Sequence, residues 1–178
     1  MNFSLHITII LLVYTLPRVE VQESRLSSTI QLNSGNTQIE FSAKHFGVLK
    51  VDGTFKNFSG QLEIKNGILK SGSLIIEVAS ITTDSKSRDR SLKTKDFLNP
   101  ESFPHINLSF EKNTNPAVVR VTAYIKGVTR TLELHYEINK SNKLKVSCTI
   151  SRKNFDLDFG SMDDLVSDDV IVLGFVDL

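Results

Sequence analysis

Apolar and polar residues alternate along most of the chain from about residue 28 onward. Segments such as "TQIEF" (37–41), "HINLSF" (105–110) and "LKVSCTI" (144–150) place apolar side chains at every second position. This is the period of a half-buried β-strand. About eight such segments follow one another, and no helical pattern alternates with them. The pattern predicts one antiparallel all-β domain, either a sandwich or a closed barrel.

One stretch departs from the alternation and predicts a short helix. Residues 84–98, "DSKSRDRSLKTKDFL", are rich in charge, and a following Asn-Pro dipeptide ends the helical pattern. Asp84 is expected to cap the start of the helix. Acid-before-base pairs four residues apart, Asp84 with Arg88 and Asp89 with Lys93, add a little stability. Because so short a helix is marginal in water, its apolar residues are expected to pack over one end of the barrel.

The start of the chain differs from the rest in composition. Residues 7–16, "ITIILLVYTL", form an apolar run of about signal-peptide length, and polar residues follow at once. The run is shorter than the ~20 residues that span a bilayer. We predict a signal peptide at 1–23, with cleavage between about Thr15 and Ser24, and a single domain at 24–178. The exported domain is expected to keep no stable membrane span. A buried N-terminal strand is the alternative interpretation.

Composition narrows the classes of function. Lys and Arg number 21 against 20 Asp and Glu, and no long basic run occurs, which argues against nucleic-acid binding. Cys148 is the single cysteine, so no intrachain disulfide forms. It shares the apolar face of its predicted strand with Leu144, Val146 and Ile150, where a buried, unreactive thiol is expected.

Candidate metal and catalytic residues are weak in this sequence. His45, His105 and His135 fall on three different predicted strands without a zinc-type spacing. The segment 156–169 holds six carboxylates but lacks the Gly and Glu of a Ca²⁺ loop, so a solvated acidic loop is favoured over a weak divalent site. Neither a Gly-rich phosphate loop nor a G-x-S-x-G elbow is found. We therefore expect no catalytic residue, no metal and no cofactor.

Three segments carry a resemblance to a known family. They are "IEFSAKHFGVLKVDGTFKNFSGQLEI" (39–64), "ASITTDSKSRDRSLKTKDFLNPESFPHINLSF" (79–110) and "VTAYIKGVTRTLEL" (121–134). In order and spacing they resemble the YceI-like family of lipid- and polyisoprenoid-binding proteins, over about residues 28–178. The resemblance implies a lipocalin-like antiparallel barrel, periplasmic or secreted, that encloses an elongated apolar tunnel. It also implies a binding protein rather than an enzyme.

The resemblance and the plentiful Phe residues together predict a tunnel wall and a cap. The predicted ligand contacts are Phe41, His45, Phe46, Phe55, Phe58, Ile76, Leu92, Phe97, Phe103, Ile106, Leu108 and Phe110. Arg88 and Asp89 are expected either to fasten the helix to the barrel or to contact a polar or anionic head group.

Three functional hypotheses follow. The first is a module that holds a polyisoprenoid, a quinone-like lipid or another long-chain amphiphile for sequestration, transport or storage. The second is an envelope adaptor or stress protein with a vestigial tunnel, and the third is an enzyme acting on a small hydrophobic substrate. An all-apolar interior favours the first, a blocked tunnel the second, and polar residues converging inside the third. A homodimer is a further expectation.

Overall fold

The computed structural model describes residues 27–178. The predicted signal peptide at 1–23 lies outside the described residues and stays a prediction. The described chain forms one antiparallel sheet of eleven strands and one α-helix. The strands are β1 (Ser27–Leu32), β2 (Thr37–His45), β3 (Leu49–Phe55), β4 (Phe58–Lys65), β5 (Ile68–Glu77), β6 (Ile81–Thr83), β7 (His105–Phe110), β8 (Val118–Ile125), β9 (Val128–Ile138), β10 (Lys143–Ser151) and β11 (Val166–Asp177). The helix is α1 (Lys86–Leu92), and short 3₁₀ turns lie at Val78–Ser80, Lys153–Phe155 and Gly160–Leu165.

Strand pairing closes the sheet into an eight-stranded meander. β2 pairs with β3 and β1 with β4, while β4 pairs with β5 and β3 with β6. The segments β1/β2, β3/β4 and β5/β6 therefore each act as one interrupted strand. Next follow β7 to β11 in order, and β11 returns to pair with β2. The predicted all-β barrel of about eight strands is confirmed.

The two bent strands are held together across the bend. β3 reaches β4 through Lys56 and Asn57, and β5 reaches β6 through the 3₁₀ turn at Val78–Ser80. The Glu77 amide donates to the Asn57 carbonyl at 3.0 Å, and the Lys56 amide donates to the Ser80 carbonyl at 3.3 Å. These bonds satisfy backbone groups that the interrupted ladders leave free, so the barrel keeps no open seam at this point.

The helix is shorter than predicted and is capped by a different residue. α1 covers Lys86–Leu92, and turns continue to Pro104. Ser85, in an extended conformation, accepts a hydrogen bond from the Arg88 amide at 3.4 Å, so Ser85 is the N-cap and the prediction of Asp84 was wrong. The Asp84 carboxylate instead accepts from the Arg88 guanidinium at 2.7 Å, which is the predicted pair.

The interior of the barrel divides into two apolar clusters. One surrounds the end beneath α1 and includes Ile76, Phe97 and Ile106. The other fills the opposite end, where Leu69 and Leu144 are at most 2% exposed. In that second cluster the Tyr136 hydroxyl donates to the Asn115 carbonyl at 2.7 Å and accepts from the Leu69 amide at 3.3 Å, so the phenol is buried with its polar atom satisfied. The second cluster therefore seals one end of the barrel.

Arg152 organises the long connection from β10 to β11. Its side chain is 1% exposed, and the guanidinium donates to the Leu157 carbonyl at 2.7 Å, the Asp163 carbonyl at 2.9 Å and the Val166 carbonyl at 3.1 Å. It also donates to the Ser167 carbonyl at 3.1 Å and forms an ion pair with the Asp163 carboxylate. All five N–H groups of the guanidinium are thereby used. The connection is fixed from residue 157 to residue 167 by one side chain.

The acidic residues of this connection are structural. The hydrogen bond from Arg152 holds the pKa of Asp163 well below its usual range, although partial burial opposes the shift. The Ser151 hydroxyl donates to Asp168 at 2.7 Å, and this bond, with one from the Lys153 amide at 2.9 Å, lowers the pKa of Asp168. Two of the six carboxylates of the segment 156–169 are thus committed to the loop itself.

Substitution of Asp163 by Asn is expected to lower the free energy of unfolding at pH 7 by about 3 kcal/mol, because it leaves a buried guanidinium without its counter-charge. The unfolded pKa of an Asp is about 3.9. Since the folded pKa of Asp163 is lower, the ion pair stabilises the protein above about pH 4 and is lost as the pH falls through the folded value. Urea unfolding at pH 7 and pH 3 measures both effects.

The neighbouring exposed residue Asp164 provides the matched control. Asp164→Asn is expected to change the unfolding free energy by less than about 0.5 kcal/mol at either pH. Equal effects of the two substitutions, or an undiminished loss of stability at pH 3 in Asp163→Asn, would contradict the structural role of the pair.

Candidate functional site

An apolar cavity of about 320 Å³ lies between α1 and the wall of the barrel. Its lining comes from the inward faces of the sheet, from the helix segment and from the β10–β11 connection. The strands contribute Ile39, Phe41, Ala43, Val51, Phe55, Ile76, Ile81, Ile106, Leu108, Ile125, Leu132, Leu134, Cys148, Ile150, Val166, Val170 and Val172. Leu92, Phe97 and Leu98 come from the helix segment, and Leu157, Phe159 and Met162 come from the connection.

Incomplete burial of inward-facing side chains shows that this end of the barrel is not a packed core. Ala43, Ile150 and Val172 line the cavity but are only half-buried. By contrast, Leu69 and Leu144 of the second cluster are at most 2% exposed. Both groups obey the same strand alternation. The difference arises because the first group faces open volume, where dispersion contacts are missing, and the second faces other side chains.

The cavity opens between three elements at the helix end. The exposed or half-exposed residues of the lining are Lys44 and His45 at the end of β2, Arg88 and Ser91 on α1, and Met162, which is 51% exposed. The far end is sealed by the second cluster. The cavity is therefore blind, with its polar side chains at the mouth.

Two polar residues of the lining lie deeper, and both are electrically quiet. Arg152 uses all its donors on protein acceptors, and its guanidinium carbon lies 5.5 Å from the centre of the Phe159 ring. Burial raises the pKa of the Cys148 thiol to about 11. The thiol is therefore neutral at physiological pH and unreactive by comparison with an exposed cysteine. The sequence-based expectation of an inert thiol agrees with this setting.

Aromatic rings shape the cavity at two places. Phe41 and Phe55 lie with ring centres 5.8 Å apart, and Phe97 stacks on Phe159 at 4.2 Å. A Cβ atom on Gly53 would lie 2.2 Å from the Phe41 ring, so the absence of a side chain at Gly53 lets this ring take its position. The second pair joins the helix segment to the β10–β11 connection across the top of the cavity.

Asp89 fastens α1 to the barrel. Its carboxylate accepts from the Thr83 amide and the Thr83 hydroxyl, both at 2.7 Å, and from the Thr82 hydroxyl at 3.2 Å. Although burial opposes it, these hydrogen bonds lower the pKa of Asp89. The predicted pair of Asp89 with Lys93 is not among the ion pairs of the described residues, because the carboxylate is turned toward β6.

Arg88 has a different setting from its neighbour. It lines the mouth, its side chain is 37% exposed, and its ion partner is Asp84, whose side chain is 88% exposed. Such a surface pair is worth at most about 1 kcal/mol. Of the two residues predicted to fasten the cap or contact a head group, Asp89 makes the fastening contacts and Arg88 lies where a bound molecule would pass.

Most of the predicted contact residues border the cavity. Those in the lining are Phe41, His45, Phe55, Ile76, Leu92, Phe97, Ile106 and Leu108. Contact with a ligand stays a prediction for all of them.

The structure places four predicted wall residues elsewhere. Phe46 lies in the β2–β3 turn and is 58% exposed, because the strand alternation ends at His45. Phe58 packs into the core at the bend of β3/β4, outside the lining. Phe103 covers Gly127, where a Cβ atom would lie 3.0 Å from its ring, and Phe110 belongs to the second cluster at the sealed end.

Sequence reasoning missed the wall formed by β9, β10 and β11. Its residues include Leu132, Leu134, Ile150, Val170 and Val172. The signal was present in the alternation, but alternation does not tell which apolar face points inward. Arg152 was also missed, although it continues the even-numbered inward series of β10.

Two searches of the described residues, 27–178, bear on other kinds of site. No group of three or more His, Cys, Asp or Glu side chains in this range is arranged to hold a metal ion. Within the same range, no helix has the length and apolarity needed to cross a membrane.

Comparisons with known proteins identify relatives of the chain. Residues 30–174 match the family model described as a YceI-like domain. A UPF0312 protein of Staphylococcus aureus strain N315 is 31% identical over 140 residues, which cover 71% of this chain and 81% of that protein. A UPF0312 protein of Photorhabdus laumondii is 29% identical over 110 residues, covering 59% and 57%.

Solved structures share the fold. BcnA of Burkholderia cenocepacia is similar with a TM-score of 0.67 and 20% identity, over 79% of this chain and 94% of that one. A polyisoprenoid binding domain from Saccharophagus degradans, implicated in plant cell wall breakdown, gives a TM-score of 0.61 and 14% identity, over 84% and 98%. The YceI protein of Campylobacter jejuni gives 0.62 and 22%, over 76% and 88%.

The contacts of Asp89 generate a prediction about the cap. Asp89→Ala removes three hydrogen bonds between α1 and β6 and is expected to cost about 1–3 kcal/mol of unfolding free energy. Asp84→Ala, which removes only the exposed pair with Arg88, is expected to cost less than about 1 kcal/mol. Urea unfolding measures both. If the two variants unfold alike, Asp89 does not fasten the helix.

Proposed function

The chain belongs to the YceI-like domain family, and we propose that it binds the apolar tail of a long-chain amphiphilic lipid, such as a polyisoprenoid or a quinone-like lipid, in the cavity beneath α1. The observation that carries the proposal is the blind apolar cavity, with half-buried aliphatic walls and polar side chains only at its mouth or fully satisfied. The likeness to a domain described as polyisoprenoid binding supports the same ligand class.

The size of the cavity supports a chain-like ligand. At roughly 30 Å³ for a group the size of a water molecule, 320 Å³ holds about ten carbon groups. Burial of each contributes about 0.8 kcal/mol, so filling the cavity supplies about 8 kcal/mol. This corresponds to a dissociation constant on the order of 1 µM before the costs of immobilisation. A tail of about two isoprene units fits inside, and any further length extends through the mouth.

The character of the mouth supports an amphiphile over a pure hydrocarbon. A tail that enters a blind cavity leaves its head group at the opening, beside Lys44, His45 and Arg88. These side chains favour an anionic or hydrogen-bond-accepting head group. The deeper lining supports binding over catalysis, because Arg152 is saturated by protein acceptors and Cys148 is neutral.

The proposal includes export. The apolar run at residues 7–16 followed by polar sequence supports secretion or delivery to a periplasm. In such a compartment the protein would carry, store or sequester a lipid between membranes. N-terminal sequencing of the mature protein from its natural host tests this, and an intact start at Met1 would contradict export.

Native mass spectrometry of the purified protein, followed by organic extraction, tests the binding function. We expect a stoichiometric isoprenoid or quinone-like lipid. Ala43→Phe places a ring in the cavity volume and is expected to abolish the added mass. Ala79→Phe is the matched control, because Ala79 is exposed on the 3₁₀ turn between β5 and β6. A wild-type protein with no bound lipid and no uptake of an offered isoprenoid would contradict the function and favour an adaptor.

Arg88→Ala tests the head-group contact. We expect about a tenfold loss of affinity for an isoprenoid phosphate and little change for the corresponding isoprenol, since a charged hydrogen bond contributes about 1.5–3 kcal/mol. Tryptophan is lacking in the chain, so quenching of a fluorescent isoprenoid analogue is a clean measure of affinity. Unchanged phosphate affinity together with a lowered melting temperature would make Arg88 a purely structural residue.

A further inference from the structure

Exposed apolar side chains are concentrated at one place on the described surface. Among residues 27–178, seven large apolar side chains are exposed, and five of them lie on two adjoining segments. Phe46, Val48 and Leu49 form the tip of the β2–β3 hairpin, and Met162 and Leu165 belong to the β10–β11 connection. We call these five residues the apolar rim.

The rim is one continuous surface. The Phe46 amide donates to the Leu165 carbonyl at 2.7 Å, which joins the hairpin tip to the connection. Residues on both sides of this junction, His45 and Val166, pair in the sheet and line the cavity. Met162 belongs to the rim and to the cavity lining at once. The rim therefore borders the mouth through which a ligand enters.

Folding does not explain the residues of the rim. Phe46 is 58% exposed and has a φ of 52°, a left-handed conformation that bulky side chains rarely adopt. With Gly47 at a φ of 72°, it forms the tight turn of the hairpin, where Asn or Gly would be less strained. Val48 is 80% exposed. These side chains contribute little burial to the fold, so an external apolar partner accounts for them better.

We propose that the apolar rim docks on a lipid bilayer and places the mouth of the cavity against the membrane surface. The proposal goes beyond ligand binding, and it assigns a source for the ligand. A lipid tail then moves from the bilayer to the cavity without crossing water, which removes the cost of exposing about ten carbon groups during transfer.

The charges around the rim favour apolar insertion over electrostatic attraction. Lys44 and Lys50 flank the hairpin, but Lys50 pairs with Asp52 at 2.8 Å, and Asp164 is exposed beside Leu165. The long lysine side chains can keep their ammonium groups in the head-group region while the rim enters the acyl boundary. Binding to neutral vesicles is therefore expected, with a modest gain on anionic ones.

The test is sedimentation of the full chain with phosphatidylcholine vesicles, and with vesicles that also contain phosphatidylglycerol. In the double variant Phe46→Asn/Leu49→Ser, Asn suits the left-handed position, so the fold is expected to persist. Removal of the two side chains is expected to weaken partitioning at least about tenfold, because each exposed apolar side chain contributes on the order of 1 kcal/mol or more when buried. Ile75→Ser is the control, since Ile75 is 47% exposed on β5, away from the mouth.

The same three proteins separate docking from ligand binding. The apolar run at residues 7–16 is common to all of them, so a difference between variants reports on the rim. Protection of Cys148 from alkylation by a soluble short-chain isoprenoid measures cavity filling, and we expect it to be equal in all three. Weakened sedimentation with preserved protection supports the proposal. Equal sedimentation of all three proteins, or a loss of self-association in the double variant without a change in vesicle binding, would overturn it.

Discussion

The architecture of the ligand end depends on one buried cation. A guanidinium at 1% exposure is costly unless each of its donors is satisfied, and Arg152 meets this condition only if the chain from Leu157 to Ser167 follows its observed path. The same path puts Phe159 against Phe97 and Met162 at the mouth. It also presents the Leu165 carbonyl to the Phe46 amide. The wall, the mouth and the hairpin tip are thus positioned through a single side chain.

The two ends of the barrel show a division between stability and ligand capacity. At the sealed end, close packing around Leu69, Tyr136 and Leu144 supplies most of what a core can give. At the helix end the same alternation faces open volume, and the side chains there lose dispersion contacts that a ligand would restore. A molecule that fills this volume binds the folded state alone, so occupancy would stabilise the fold by mass action. The cavity is affordable because Arg152 and Asp89 hold its roof by polar contacts.

The sequence predicted the regular parts of this structure and missed the parts that depend on long-range contacts. Alternation located the main strands, because one face of each is apolar and the other wet. It missed β6, which has three residues and exists only because it extends β5 past a bend. The helix cap was assigned to Asp84 rather than Ser85, since both residue types cap helices and one position is within the error of a pattern. The place of Arg152 follows from partners 5 to 15 residues away and could not be deduced from spacing.

The neighbouring residues Arg88 and Asp89 show how position on one helical turn divides structural from functional roles. Asp89 faces β6 and is enclosed by three short hydrogen bonds, so its charge is fully used by the fold. Arg88 is turned by about one residue's rotation toward the mouth, where its single partner is a highly exposed carboxylate. Because such a pair is weak, an incoming anion can compete with it at small cost. Specificity at this site therefore rests on the volume of the cavity for the tail and on loosely held cations at the mouth for the head group.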